Sequence, residues 1–196
     1  MSEILNRNTF FVKEHVGMFK ASVNYDVFCP ETQVEILKCR EENLGFFTKM
    51  FRFTKYKRVT PFNVLVNTLD DKQVIRIEKS ITLWLASIKI YDDNDVFIGI
   101  FKQRFSFLTS KIDVLDTKGN KMFFLKGKWT GWEFKFLDEN KKELAFVTKK
   151  WAGLGKEMFT SADNYMLSIS EDVEPDSEAR RLILASIFCI DIATKS

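Results

Sequence analysis

The chain has 196 residues, of which 45% are hydrophobic and 29% charged, with a formal net charge of +3. That composition can bury a sizeable core, which excludes a disordered chain, and the small positive charge gives no ground for a nucleic-acid partner. Three cysteines without a CxxC spacing and a single histidine, His15, exclude a disulfide framework, a zinc site and most chemistry that needs imidazole.

Taken in chain order, the first 17 residues scatter their charges and contain no apolar run of signal-peptide length. Secretion is therefore not expected, and the sparse cysteines fit a reducing, intracellular compartment. His15 follows Glu14 and reads as a surface or turn residue. Twenty Phe and four Trp against eight Gly and three Pro favour strands.

Residues 24–40, NYDVFCPETQVEILKCR, predict two strands around a Pro-Glu-Thr turn. Residues 45–58, GFFTKMFRFTKYKR, interleave Phe46, Phe47, Met50, Phe51 and Phe53 with Lys49, Arg52, Lys55, Lys57 and Arg58. Aromatic rings that enter a headgroup layer beside cations that attract anionic lipid are what a peripheral membrane site needs. The same mixture also fits stacking of single-stranded nucleic acid, or an element with Phe in the core and Lys/Arg in water, and periodicity does not separate them.

Four further hairpins follow. Residues 62–78 alternate on both sides of Asp70-Asp71, and residues 88–101 do so around Asp92 to Asp95. Residues 112–125 turn at Thr117 to Asn120, and residues 132–147 at Asp138 to Lys141. Period-2 alternation flanking Asp, Asn and Gly is the hairpin signature, and the interval of a little over twenty residues suits a meander or barrel rather than a propeller. No linker composition interrupts the series, so residues 1–196 are expected to form one domain.

The last segment differs. Pro175, Asp176 and Ser177 with Glu178 make a helix start, and residues 182–193 are apolar on every face except Ser186 and Asp191. Twelve residues rise only about 18 Å, short of the roughly 30 Å of a bilayer core. Residues 177–194 are therefore expected as a buried central helix with Leu182, Ile183, Ile187, Phe188 and Ile190 as its core, sleeved by a closed barrel that has no free edges.

The C-terminal stretch carries a family likeness. Lys149-Lys150-Trp151-Ala152-Gly153, then Ala162-Asp163-Asn164 beside an aromatic, then Ala185-Ser186-Ile187-Phe188-Cys189-Ile190-Asp191 resemble the C-terminus of phospholipid scramblases, and Thr60-Pro61-Phe62 with the hairpins follows their strand order from about Tyr25 onward. The resemblance implies the tubby-like fold shared with plant LURP-one-related proteins, a closed twelve-stranded β-barrel around a hydrophobic C-terminal helix. It also implies phospholipid or membrane-surface binding, transbilayer lipid movement, and a location that is cytoplasmic and peripheral at the inner face of the membrane. Residues 79–87, KSITLWLAS, contain no cysteine where those relatives carry their palmitoylated cluster. The positions matching the family's calcium segment are Ser161, Asp163 and Asp172. Calcium wants six to eight oxygens, several from carboxylates, and a neutral Ser161 makes this a poor set. No catalytic constellation is present, so neither an enzyme nor a resident cofactor is expected. The competing expectation is an intracellular β-barrel that binds a protein or small ligand and has no lipid role.

Overall fold

The computed structural model describes residues 2–15, 24–42, 61–80, 87–104, 110–128, 132–149 and 164–194. Twelve strands form a closed barrel in which every neighbouring pair is antiparallel. They are β1 (Thr9–Glu14), β2 (Asn24–Phe28), β3 (Glu35–Glu41), β4 (Phe62–Thr68), β5 (Gln73–Lys79), β6 (Ser87–Tyr91), β7 (Phe97–Arg104), β8 (Ser110–Leu115), β9 (Lys121–Lys128), β10 (Glu133–Leu137), β11 (Glu143–Thr148) and β12 (Asn164–Ile169). Each strand pairs with the next, and β1 closes the ring against β12. A short helix α1 (Ser2–Leu5) precedes the barrel, and α2 (Glu178–Thr194) follows it.

Alternation makes the wall two-faced. Phe62, Val64 and Val66 of β4 are buried while Asn63, Leu65 and Asn67 between them are partly covered. β10 likewise buries Phe134 and Phe136 and exposes Glu133 and Lys135. Charged residues at outward positions, among them Lys89, Lys102, Lys126, Glu133 and Lys135, reverse the pattern of a transmembrane barrel, whose outer band is apolar.

The described hairpins share one turn chemistry. In the last three, an aspartate at the start of the turn accepts backbone N–H groups with its own carboxylate: Asn94 and Val96 on Asp92 Oδ1, Lys118 and Asn120 on Asp116 Oδ1, and Lys142 on Asp138 Oδ1, all at 2.8–2.9 Å. Each of the five turns contains one residue with positive φ, Gln33, Asp71, Asp95, Gly119 or Lys141, next to a register shift in the ladder. A turn followed by a left-handed residue in a bulge is a standard hairpin closure, and it explains why Asp, Asn and Gly punctuate the sequence where they do.

Helix α2 runs through the barrel. Ser177 caps it, accepting from Arg180 N at 3.3 Å. From Leu182 to Ile190 every side chain is buried, including Ser186, whose Oγ donates to Leu182 O at 2.6 Å. The close fit is visible at Gly99, where a Cβ would stand 2.7 Å from Leu115 O and 3.0 Å from a Leu182 methyl. Any larger residue there would push the helix off the wall. Among the described residues no helix is long and apolar enough to cross a membrane.

Candidate functional site

Because consecutive strands run in opposite directions, the chain's connections sort strictly between the two ends of the barrel. One end, the turn end, carries the hairpin turns 29–34, 69–72, 92–96, 116–120 and 138–142 together with residues 170–177. The other end, the connection end, is where the strands that flank residues 16–23, 43–60, 81–86, 105–109, 129–131 and 150–163 in the sequence stop and start.

The two sets differ in chemistry. The hairpin turns and residues 170–177 at the turn end contain thirteen acidic residues (Glu31, Asp70, Asp71, Asp92, Asp93, Asp95, Asp116, Asp138, Glu139, Glu171, Asp172, Glu174 and Asp176) against Lys72, Lys118, Lys141 and Lys142, and no aromatic ring. The sequences that join the strands at the connection end contain Lys20, Lys49, Arg52, Lys55, Lys57, Arg58, Lys150 and Lys156 against Glu157 and Asp163. They also hold three of the four tryptophans, Trp84, Trp129 and Trp151. In a chain with a net charge of only +3, the two sets of joining sequence thus carry opposite net charge.

Described residues at the connection end continue that pairing of cations with rings. Lys149 Nζ stands 4.5 Å from the centre of the Trp132 ring and 5.1 Å from that of Tyr165. Trp132 itself stacks on Tyr165 with ring centres 4.6 Å apart. Lys79, which ends β5, lies 5.8 Å from the Phe62 ring that opens β4. These distances fall within the reach of a cation–π attraction. Beside them Asp26, buried on β2, accepts from Arg40 Nη2 at 2.5 Å and from His15 Nε2. Burial alone would raise its pKa, but the hydrogen bonds and charges of Arg40 and His15 hold the carboxyl below the usual range. Arg40 also donates to Tyr25 O at 2.6 Å, so the guanidinium is fixed to the wall.

The turn end is sealed differently. Arg180 of α2 is 2% exposed, and the partners it donates to are uncharged oxygens. Its guanidinium donates to Val173 O at 2.9 and 3.0 Å, Leu5 O at 3.2 Å, Arg7 O at 2.8 Å and Asn8 Oδ1 at 2.7 Å. One side chain thereby ties the central helix to the N-terminal segment and to the loop that precedes the helix. Sequence reasoning missed this residue, and it missed β1, the strand that closes the ring.

Of the residues expected to matter from the sequence, Phe46, Phe47, Lys49, Met50, Phe51, Arg52, Lys55, Lys57 and Arg58 lie outside the described residues. Their flanks, Glu42 and Pro61, stand at the connection end, where Glu42 N donates to Asn63 O at 3.0 Å. Ser161 and Asp163 also lie outside the described residues. Asp172 is described and belongs to the turn end, where its carboxylate is 2.9 Å from Lys142 Nζ. That ammonium, with a hydrogen bond from Ser170, keeps the Asp172 carboxyl below its ordinary range. Strand β12 stands between, since Asn164 to Ser170 is about 20 Å of extended chain. Asp172 and the residues that precede Asn164 flank opposite ends of one strand, a poor fit to a shared calcium ion. Among the described residues no three His, Cys, Asp or Glu side chains converge on a metal-sized space. Leu182, Ile183, Ile187, Phe188 and Ile190 are at most 1% exposed, and Phe188 packs on Tyr25 with ring centres 5.3 Å apart.

A closed antiparallel barrel threaded by its own apolar C-terminal helix defines the class. The scramblase family model matches residues 14–194, and the chain belongs to the scramblase family. A solved protein from Arabidopsis thaliana superposes with a TM-score of 0.56 at 10% identity, over 98% of this chain and 96% of that one, a likeness that shows the fold alone. No curated protein matches the chain.

Proposed function

We propose that this protein is a scramblase-related membrane-surface module that docks its connection end on anionic phospholipid at the cytoplasmic face. The observation that supports this most is the segregation of basic and aromatic connections from acidic turns. An anionic bilayer attracts one end of such a barrel and repels the other, so the charge pattern selects an orientation as well as a surface. Aromatic residues at the same end suit insertion at headgroup depth. Family membership supports a lipid-associated role in general. Transfer of lipid between leaflets needs a polar path through hydrocarbon and is a step distinct from docking.

Co-sedimentation with vesicles tests the proposal. Each cation near a charged surface contributes about 1 kcal/mol, screened over roughly 10 Å at 0.1 M salt. Binding to vesicles rich in phosphatidylserine is expected at low salt and should fade as salt rises. Replacing Lys55, Lys57 and Arg58 together by Ser should reduce it by about a hundredfold or more. Equal binding by the triple variant, or none by the wild type at low salt, defeats the proposal.

A further inference from the structure

On the outer wall, running down from the 116–120 turn, β6, β7 and β8 border a groove of about 420 Å³ whose floor is Phe97, Ile100 and Leu115. The volume lies within the range of small-molecule sites. Its floor is apolar: Ile100 and Leu115 are paired across β7 and β8, as Phe124 and Leu137 are across β9 and β10. One lysine, Lys102, lines it, and a second, Lys89, is the strand neighbour of its floor residue Ile100. Lys102 stands directly across from Ser87, which places the two ammonium-bearing residues diagonally about 7–8 Å apart on one face.

The neighbouring carboxylates are all engaged elsewhere. Glu78, opposite Lys89, is held by Arg76 at 2.9 Å. Asp113, opposite Lys102, faces Lys121 Nζ at 3.7 Å. Asp116, which also lines the groove, has Oδ1 filled by the N–H groups of Lys118 and Asn120 and Oδ2 by the Asn120 amide. Lys89 and Lys102 therefore have no ion pair among the described residues. Two hydroxyls, Ser87 and Thr117, also line the groove.

We infer that this groove binds a single small anionic amphiphile: a phosphate or carboxylate held by Lys102, Ser87 and Lys89, with a short apolar body on Phe97, Ile100 and Leu115. Strand geometry supports the division, because Lys102 is two residues beyond Ile100 on the same face, about 7 Å away. A bare anion would leave the apolar floor wet, and an uncharged hydrocarbon would leave the two cations unused. The site is independent of membrane docking at the connection end. Its ligand is either a lipid monomer or a soluble phosphate ester of similar shape.

Calorimetric titration of the full chain with octyl phosphate, below its micellar concentration, is the test. Saturable one-to-one binding is expected, with inorganic phosphate and octanol each weaker by at least about tenfold. Lys102→Glu and Ile100→Ser should each weaken octyl phosphate by about tenfold or more, with unfolding curves confirming that both variants are folded. No saturable binding, binding unchanged in both variants, or inorganic phosphate binding as tightly as octyl phosphate overturns the inference. Vesicles of phosphatidic acid then assign the source. Parallel loss of vesicle binding in Lys102→Glu marks a lipid ligand, and retained vesicle binding marks a soluble one. The Lys55, Lys57, Arg58 triple variant should keep its octyl phosphate titration, so failure of membrane docking and failure of the groove are separately visible.

Discussion

The two ends of the barrel solve the problem of closing a β-barrel with opposite materials. At the turn end, short acidic hairpins satisfy themselves: aspartates accept their own turn's N–H groups, and salt bridges such as Asp70–Lys72 and Asp172–Lys142 lie within or between neighbouring turns. The one demanding element there is Arg180, a buried charge dressed by carbonyls. At the connection end the strand ends carry rings and cations, and polar networks such as His15–Asp26–Arg40 hold those cations to the wall. A self-satisfied end has little to offer a membrane. An end whose connections hold basic side chains and tryptophans has both components of a docking surface. Under the proposed docking mode, the turn end carries folding demands and the connection end carries binding.

The largest expected effect breaks the turn end. Arg180→Leu leaves four oxygens, on Leu5, Arg7, Asn8 and Val173, without the guanidinium, while Glu174 O keeps the Ser177 hydroxyl at 2.7 Å. Unsatisfied buried acceptors cost about 1–3 kcal/mol each before relaxation and water entry, so a net loss of about 3–5 kcal/mol is expected in urea unfolding. Proteolysis should also cut the N-terminal segment first, because its tie to α2 is gone. A loss below about 1 kcal/mol would show that water replaces the guanidinium easily and that the seal is incidental.

A smaller effect probes the connection end. The Asp26 carboxyl is held below its usual range, so its ionised form stabilises the fold at pH values above the unfolded carboxylate pKa. That contribution disappears as pH falls through the folded pKa. Asp26→Asn should therefore cost about 1–2 kcal/mol near pH 7, with the gap to the wild type closing as pH drops below about 4. Thermal unfolding at pH 7, 5 and 3 measures it. A gap that stays constant over this range would mean that packing, not charge, is what the variant removes.

The sequence made the turn end and the helix plain because their signals are local. Asp70-Asp71, Asp116 to Asn120 and Asp138 to Lys141 interrupt period-2 runs, and residues 182–190 have no polar face. Strand β1 was hidden because Phe10, Phe11 and Val12 form a continuous apolar run. Phe10 and Val12 enter the core, whereas Phe11 packs outside that cluster, near Phe28 with ring centres 6.3 Å apart. Alternation cannot be read from such a run. Arg180 was hidden for a different reason. It sits beside Arg181, which pairs with Asp176 at 2.7 Å, and the two look alike in a first helical turn. Three of the partners that distinguish Arg180 come from residues 5–8, at the far end of the chain. The outer groove needed the pairing register, because Lys102, Ser87 and Leu115 come from three strands.

The smallest expected effect concerns calcium, and it sharpens the contrast between the ends. Asp172 lies at the acidic end paired with Lys142, while Ser161 and Asp163 precede the opposite end of β12. Sensor-grade calcium affinity of about 10⁻⁷ to 10⁻⁵ M takes several carboxylates gathered on one ion. Here two carboxylates are set on either side of a strand, and one is already neutralised by an ammonium. We expect binding no tighter than about 10⁻³ M, so that micromolar calcium leaves vesicle binding unchanged. Calorimetric titration with calcium chloride reads the affinity directly, and Asp172→Asn should leave the titration as it was. A dissociation constant below about 10⁻⁵ M that Asp172→Asn abolishes would contradict both the expected weakness and the separation of the two ends. The same affinity lost only in Asp163→Asn would still refute the weakness, but it would place a calcium site at the connection end, where an ion between protein and anionic headgroups would strengthen docking.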